Sequence, residues 1–495
     1  MKLFIVFLFP FAVLWCGPAP AQAQKPLPET QKEAIAAIEK LGGRVERDDT
    51  TGEVTRVSVF GGTADAVLAH LKELTSLTDL SLQRTQVTDA GLEHLKELTS
   101  LTDLILSGPQ ITDAGLAHLK GLTTLTNLGL NGTQITDAGL EHLKELTNLT
   151  DLRLGGPQIT DAGLAHLKGL TSLKVLFFSG TVTGAGLEHL KELTSLTDLI
   201  LSGPQITDAG LAHLKGLTTL TNLGLRGPQV TDTGLGHLKD LTSLTDLTSL
   251  TDLHLSGTQI TDAGLEHLKG LTSLKVLFFS GTVTGAGLEH LKELTSLTDL
   301  SLLSPQVTDA GLVHLKDLTS LTDLHLSGKQ ITDAGLEHLK GLTNLTNLSL
   351  NGPQFTDAGL AHLKGLTSLK VLFFPGTFTG AGLEHLKGLT NLTNLSLNPP
   401  QSTGSSLQYL NELTSLTDLQ VNGRQITDAG LEHLKGLTSL TNLSLLSPII
   451  KDAELQHLKD LTSLTTLSLF ATQITDAGLA EIKAALPKCN VLKVP

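Results

Sequence analysis

The stretch LTDLILSGPQITDAGLAHLKGLTT, at residues 101–124, recurs with small changes along almost the whole chain. Near its start, Leu104 and Leu106 occupy alternate positions, a spacing typical of a strand with one buried face. After a Gly-Pro turn, leucines three residues apart predict a helix with one apolar stripe. We expect seven side chains of this unit to point inward: Leu101, Leu104, Leu106, Ile111, Leu116, Leu119 and Leu122.

Units of 23 or 24 residues that match this stretch start at 18 positions, and one of them is lengthened by a six-residue duplication within residues 244–255. The starts are 54, 77, 101, 125, 149, 173, 196, 220, 250, 274, 297, 321, 345, 369, 392, 416, 440 and 464, and a last strand is predicted at residues 489–494. A fixed period in this range predicts a solenoid, because each unit buries its apolar side only by stacking on its neighbours.

The spacing L-x-x-L-x-L, followed by an Ile and then by ITDAGLxHLKxL, resembles the ribonuclease-inhibitor-like class of leucine-rich-repeat proteins, in a short bacterial exported form. The resemblance covers about nine-tenths of the chain. It implies an α/β right-handed solenoid, a horseshoe or superhelix, with a concave parallel β-sheet and convex helices. It does not identify a function, because this architecture carries many different recognition tasks.

The first 23 residues have the layout of a cleaved secretory signal: a basic Lys2, an apolar run at residues 3–13, and small residues up to Ala23. We therefore predict a signal peptide at residues 1–23 and a protein that is secreted, periplasmic or held in the cell envelope. Lipidation of Cys16 remains an alternative to cleavage. The apolar run is too short for a transmembrane helix, so no membrane insertion is expected after cleavage.

Residues 24–53 are predicted to form a capping helix and hairpin, and residues 54–495 the solenoid of 18 repeats plus the terminal strand. The segment TQKEAIAAIEKLGG reads as an amphipathic helix that ends at Gly42 and covers the edge of the first repeat. Its inward residues are predicted to be Ala34, Ile35, Ile38 and Leu41.

The formal net charge is −14, and loss of the predicted signal removes Lys2 alone and leaves −15. This acidity opposes binding to nucleic acid or to anionic membranes. Cleavage also removes Cys16, so Cys489 has no cysteine in the chain with which to form a disulfide. No cofactor is predicted, since the sequence has no glycine-rich phosphate loop and no paired-cysteine motif.

Two recurring sets of polar residues resemble chemical sites. Sixteen of the 18 His stand at one helix position, but neighbouring helices pack ~8–10 Å apart, whereas ligands of one metal ion must converge on it. One set of Asp, including Asp89, Asp113 and Asp137, precedes Ala-Gly-Leu and is predicted to cap helices, with the preceding Thr as an alternative cap. A second set is predicted to line the concave face: Asp79, Asp103, Asp151, Asp198, Asp252, Asp299, Asp323 and Asp418.

Asn and Val separate most of the concave carboxylates. This spacing lowers the repulsion between negative charges on an open sheet and does not form a catalytic pocket. We therefore predict neither a metal centre nor a catalytic one, and weak calcium binding by the Asp row is left open. The chain is predicted not to be an enzyme.

The run Lys-Val-Leu-Phe-Phe occurs in three units, which start at residues 173, 274 and 369. Strand alternation turns the second Phe inward and leaves the Lys, the Val and the first Phe on the concave face. The candidate binding residues are Lys174, Val175, Phe177, Ile200, Lys275, Val276, Phe278, Lys370, Val371 and Phe373. Exposed apolar groups with polar neighbours often mark recognition surfaces. An alternative is packing copied by duplication, because a stretch of identical sequence recurs four units apart.

We predict a non-enzymatic recognition scaffold that binds a protein or peptide through the concave sheet outside the cytoplasm. One alternative is a structural or glycan-binding repeat protein of the cell envelope, although scarce Trp and Tyr weigh against glycan. Another is a substrate receptor of the ubiquitin-ligase type, since some of those carry similar repeats. The short segment before the repeats leaves no room for the adaptor-binding module that such receptors need.

Overall fold

The structure is a computed structural model that describes residues 27–61, 65–227, 229–238, 251–256, 259–352, 355–398, 404–423, 426–470 and 473–494. The predicted signal peptide, Cys16 and residues 244–250 of the duplication lie outside these ranges.

Twenty strands in the described part of the chain form one sheet. They are β1 Arg44–Arg47, β2 Val54–Phe60, β3 Asp79–Gln83, β4 Asp103–Leu106, β5 Asn127–Asn131, β6 Asp151–Gly155, β7 Val175–Ser179, β8 Asp198–Ser202, β9 Asn222–Arg226, β10 Asp252–Ser256, β11 Val276–Ser280, β12 Asp299–Leu303, β13 Asp323–Ser327, β14 Asn347–Asn351, β15 Val371–Pro375, β16 Asn394–Asn398, β17 Asp418–Asn422, β18 Asn442–Leu446, β19 Thr466–Phe470 and β20 Asn490–Val494. Each strand pairs with the next, in parallel from β2 onward, whereas β1 and β2 form an antiparallel hairpin.

Helices follow the strands on the other side of the coils. The α-helices are α1 Glu29–Lys40, α2 Leu68–Leu71, α3 Asp89–Leu92, α4 Asp113–Leu116, α5 Asp137–Leu140, α6 Asp161–Ala165, α7 Asp208–Leu211, α8 Asp232–Leu238, α9 Asp262–Glu266, α10 Asp309–Leu312, α11 Asp333–Leu336, α12 Asp357–Leu363, α13 Gly380–Glu384, α14 Asp428–Glu432 and α15 Asp476–Ala485. Short 3₁₀ helices are Glu93–Leu95, Glu141–Leu143, Ala185–Leu190, Ala212–Gly216, Gly287–Leu291, Val313–Leu315, Glu337–Leu339, Gly404–Leu410, His433–Gly436 and Asp452–Leu458. The predicted α/β leucine-rich-repeat solenoid is confirmed.

One continuous apolar core runs through the coils, between the sheet and the helices. All seven inward side chains predicted for residues 101–122 are buried and fully inaccessible to solvent. The predicted helix, however, is a single turn, Asp113–Leu116. Beyond it the backbone makes successive three-residue turns, in which Leu119 N–H donates to Leu116 and Leu122 N–H to Leu119, each at 2.9 Å. The leucine spacing of three therefore reflects 3₁₀-type turns, which return a side chain to the core every third residue.

The predicted capping role of the Asp set is wrong. Thr112 is the N-cap of α4, and its hydroxyl accepts from Ala114 N–H. The Asp before Ala-Gly-Leu is the first helical residue, and it binds the following coil: Asp113 accepts from the backbone N–H of Thr136 at 2.8 Å and from its hydroxyl at 2.6 Å. The carboxylate of Asp113 therefore joins its coil to the next one, and Thr112 caps the helix.

We call these contacts staples, since each joins two consecutive coils. They occur at Asp65–Thr88, Asp89–Thr112, Asp113–Thr136, Asp137–Thr160, Asp161–Thr183, Asp208–Thr231, Asp232–Thr261, Asp262–Thr284, Asp309–Thr332, Asp333–Thr356, Asp357–Thr379 and Asp452–Thr475. The Gly of Asp-Ala-Gly-Leu serves the staple, because a Cβ at Gly139 would overlap the carboxylate of Asp113.

Removing one staple is expected to cost about 1.5–3 kcal/mol, because Asp113→Ala takes a charged acceptor away from two donors of Thr136. Asp103→Ala is the matched control, since Asp103 lies on the sheet and accepts a bond from its neighbour Thr102; we expect a change of about 0.5 kcal/mol or less. Denaturant unfolding of both variants measures the difference. Equal stability would mean that the staples do not hold the coils together.

The last staple is also expected to depend on pH. The hydroxyl and N–H of Thr475 hold the pKa of Asp452 below its usual range. Its contribution is therefore complete above the pKa of Asp in the unfolded chain and is lost as pH falls through the lower folded pKa.

The N-terminal helix α1 packs on the first coil, with Ala34, Ile35 and Ile38 buried. Leu41 was also predicted to face inward but is 43% exposed, because the chain has left the helix at that point and Gly42 reverses it with φ of +84°. The β1–β2 hairpin then leads directly into the first repeat.

Candidate binding surface on the sheet

The side of the sheet opposite the leucine core carries three rows of side chains in register; we call it the sheet face. The first row consists mainly of Asp, Asn and Val, at the positions of Asp103 and Val175. The central row contains Ser58, Ser81, Ile105, Gly129, Arg153, Phe177, Ile200, Gly224, His254, Phe278, Ser301, His325, Ser349, Phe373, Ser396, Gln420, Ser444, Ser468 and Leu492.

All ten candidate residues belong to this face or to its border, and they form three groups. Val175 and Phe177 on β7, Val276 and Phe278 on β11, and Val371 and Phe373 on β15 point away from the core, and Lys174, Lys275 and Lys370 are exposed just before these strands. We call the groups Phe spots. Successive spots are four strands apart, or ~19 Å at ~4.8 Å per strand. The structure does not bring the three spots into one pocket.

The first spot includes the neighbouring strands. Phe177 is in register with Arg153 on β6 and with Ile200 on β8. Ile200 in turn lies beside Gly224, which has no side chain to cover it. Arg153 binds Asp151 through Nε at 3.1 Å and Nη2 at 3.2 Å, and this bidentate pair raises the pKa of the guanidinium. Ile200 thus extends the apolar area, and an ion pair borders it.

The second spot contains an aromatic contact that sequence reasoning missed. The His254 ring stacks on Phe278, with centroids 6.1 Å apart and an angle of 23° between the planes. The two residues are in register on β10 and β11. The sequence did contain a signal for this contact: of the 18 His, only His254 and His325 occupy a strand position instead of the recurring helix position.

The third spot is the most exposed and borders a depression of about 350 Å³ across β15 to β19. Val371 is 37% and Phe373 38% exposed. These two side chains form one wall of the depression. Beyond the wall, the central row has Ser396, Gln420, Ser444 and Ser468, whose small or flexible side chains form a low floor. The depression was not predicted, because it depends on the relative heights of side chains from five units.

The inward Phe of each spot has a packing role that the outward Phe lacks. Phe178 and Phe279 are fully buried, and a Cβ at Gly180 would lie 2.7 Å from the tip of the Phe178 ring. In the coils that start at 173 and 274, Gly184 and Gly285 replace the staple Asp. The next coil there approaches backbone to backbone: a Cβ on Gly210 would lie 2.7 Å from the Gly184 carbonyl oxygen. Close coil packing thus accounts for Phe178 and leaves Phe177 unexplained.

Charge on the sheet face is mostly negative and partly uncompensated. Arg56 pairs with Asp79 at 3.0 Å, as Arg153 does with Asp151. Ion pairs within 4 Å are absent, in the described part of the chain, for Asp103, Asp198, Asp252, Asp299, Asp323 and Asp418. Asp299 and Asp323 are in register on adjacent strands. A cationic partner would be attracted to this face.

The sixteen His of the recurring helix position lie on the helix side of the coils, away from the sheet face. Across the described ranges no group of three or more His, Cys, Asp or Glu side chains is placed to hold a metal ion. Among the described residues, His457 differs from the other His of this position because it is buried. Its Nε2 lies 2.6 Å from Asp428 Oδ1. Glu454 stands where other units have the staple Gly, and Lys451 replaces the stapled Thr, so Asp428 pairs with the histidine instead.

None of the described helices has the length and apolar character needed to span a bilayer.

Comparison with known proteins identifies the repeat. The leucine-rich-repeat family model matches residues 73–96, 246–269, 317–340 and 460–483. No curated protein sequence matches the chain.

Solved structures with similar folds include an internalin from Listeria monocytogenes, with 22% identity over 84% of this chain and 94% of that one and a TM-score of 0.39. A leucine-rich-repeat protein from Leptospira interrogans has 18% identity over 85% of this chain and 91% of that one, with a TM-score of 0.43. The ectodomain of the Arabidopsis receptor kinase HAESA has 18% identity, coverage of 90% and 79%, and a TM-score of 0.47. The matches of the family model show that the chain carries leucine-rich repeats, and the continuous parallel sheet shows that they stack as a solenoid.

Proposed function

We propose that the chain is a non-enzymatic recognition scaffold that binds a protein or peptide through the sheet face, with the three Phe spots as its principal contacts. The single observation that supports this most strongly is the orientation of Phe177, Phe278 and Phe373. These rings lie outside the core, so coil packing does not require them. Aromatic side chains surrounded by polar groups are typical anchors of protein interfaces.

The layout of the face supports a long contact. The spots stand along ~38 Å of sheet, and a partner that touches two of them gains from the second contact without a second association cost. We further propose that the protein works outside the cytoplasm, as the signal-like N-terminal sequence indicates.

The test is a capture experiment with the chain from residue 24 onward as bait, on extracts and medium of the source cells. We expect Phe177→Ser combined with Phe278→Ser to lower the captured amount about tenfold or more, since loss of two anchors removes several kcal/mol of binding. Folding should survive, because partly exposed positions change stability by about 1 kcal/mol or less. Quantitative mass spectrometry and circular-dichroism melts give the two readouts.

The matched control is Phe60→Ser combined with Phe470→Ser, which makes the same chemical change at the two ends of the sheet. Phe60 is 57% exposed, and neither residue belongs to a Phe spot. Capture by this control should match the unaltered chain. If the spot variant captures every partner as well as the control does, the outward rings are duplicated sequence without a binding role.

A further inference from the structure

The depression beside the third Phe spot combines an apolar wall with a carboxylate. Val371 and Phe373 on β15 form the wall, and Asp418 on β17 lies two strands away. Asn394 lies between the wall and Asp418, and Gln420 is on the same strand as Asp418. Both contribute side-chain amides to the floor. The wall and the carboxylate are thus ~10 Å apart, at ~4.8 Å per strand.

Asp418 carries a charge that its surroundings do not neutralise. Its carboxylate accepts from Thr417 Oγ1 at 2.8 Å and from the Asn442 amide, both uncharged donors. Among the described residues no basic group lies within 4 Å of it, in contrast to the Arg56 and Arg153 pairs at Asp79 and Asp151. A carboxylate oxygen pair accepts about four hydrogen bonds, so acceptor positions remain for a ligand.

We propose that this depression binds an extended peptide segment in which an apolar side chain packs against Val371 and Phe373 and a Lys or Arg, three residues along, pairs with Asp418. This inference rests on the proposed function and specifies its partner. An extended chain of the polyproline II type advances ~3.1 Å per residue and turns every third side chain to the same side, so a residue three along spans the ~10 Å between wall and carboxylate.

The charge decides between ligand classes. A neutral saccharide over the depression would desolvate Asp418 without a compensating charge, and an anionic ligand would be repelled by it. A cation instead forms charge-assisted hydrogen bonds with the carboxylate. The amides of Asn394 and Gln420 suit peptide groups, because an amide offers both a donor and an acceptor.

The probe is the blocked hexapeptide Ser-Phe-Ser-Ser-Arg-Ser, observed by saturation-transfer NMR with the chain from residue 24 onward. We expect transfer to the Phe ring and to the Arg side chain of the peptide. Asp418→Asn should weaken binding about tenfold, the effect of one charged pair of about 1.4 kcal/mol, and Phe373→Ser by a similar factor. The matched control is Asp103→Asn, an unpaired carboxylate of the same row outside the depression, which should bind the peptide unchanged.

Three results would overturn the proposal: a peptide with Glu in place of Arg binds equally well, Asp418→Asn leaves binding unchanged, or the Arg peptide gives no transfer at millimolar concentration. Binding of maltoheptaose that depends on Asp418, with the peptide silent, would assign the depression to glycan instead. The capture experiment is independent, since Phe177 and Phe278 lie outside the depression. Capture that needs those rings, with no peptide binding here, would leave the proposed function standing and remove only this inference.

Discussion

Phe178→Ser is expected to destabilise the solenoid by about 3–5 kcal/mol, the cost of truncating a buried aromatic side chain, with an added cost for a hydroxyl that has no partner. Phe178 is 0% exposed, and its ring packs against Gly180 of the same coil, where an added Cβ would lie 2.7 Å from the ring tip. The measurement is a denaturant melt followed by circular dichroism, together with hydrogen exchange of residues 173–195. Loss of exchange protection should centre on this coil, because a repeat contacts only its neighbours.

The neighbouring substitution Phe177→Ser is the control, with an expected change of about 1 kcal/mol or less. The two rings are adjacent in sequence and differ only in the side of the sheet to which they point. If both variants melt alike, the side-chain directions in β7 are wrong, and the sheet face does not carry the Phe spots.

Gly311→Ala is expected to cost about 1–3 kcal/mol or more, because overpacking forces rigid groups apart. A Cβ on Gly311 would overlap the Cα of Gly285 in the preceding coil and lie 2.9 Å from its carbonyl oxygen. Both obstacles are backbone, so no side-chain rotation relieves the clash. Thermal unfolding of the variant measures the loss.

Gly216→Ala is the matched change on the helix side, where a new Cβ meets nothing within 4 Å. We expect its stability to stay within about 0.5 kcal/mol of the unaltered chain or to rise slightly, since Ala restricts the unfolded state. Should Gly311→Ala prove as stable as Gly216→Ala, the coil of Gly285 and the coil that follows it are not in backbone contact.

The fold was predictable because each unit repeats the same pattern of apolar residues. Leu104 and Leu106 mark a strand, Leu116 marks the helix, and a period of 23 or 24 residues leaves stacking as the way to bury them. The role of Asp113 was not predictable from one unit. Its carboxylate binds Thr136 in the next coil, and a pattern within one unit does not distinguish a forward contact from a cap of its own helix.

The outward direction of Phe177 followed from strand alternation, and the structure places the ring accordingly. The stacking of His254 on Phe278 and the depression beside Phe373 did not follow. Both arise between strands of different units and depend on which side chains stand next to each other across the sheet. A sequence that repeats nearly the same unit carries little information on such individual neighbours.

Photo-crosslinking tests whether partners bind the sheet face at the Phe spots. A photoreactive phenylalanine analogue is placed at position 177, 278 or 373, and in the control at position 120, where an exposed Lys lies on the helix side. We expect covalent adducts to the same captured protein from the spot positions and none from position 120. Adducts from position 120 with none from the three spots would contradict binding at the Phe spots.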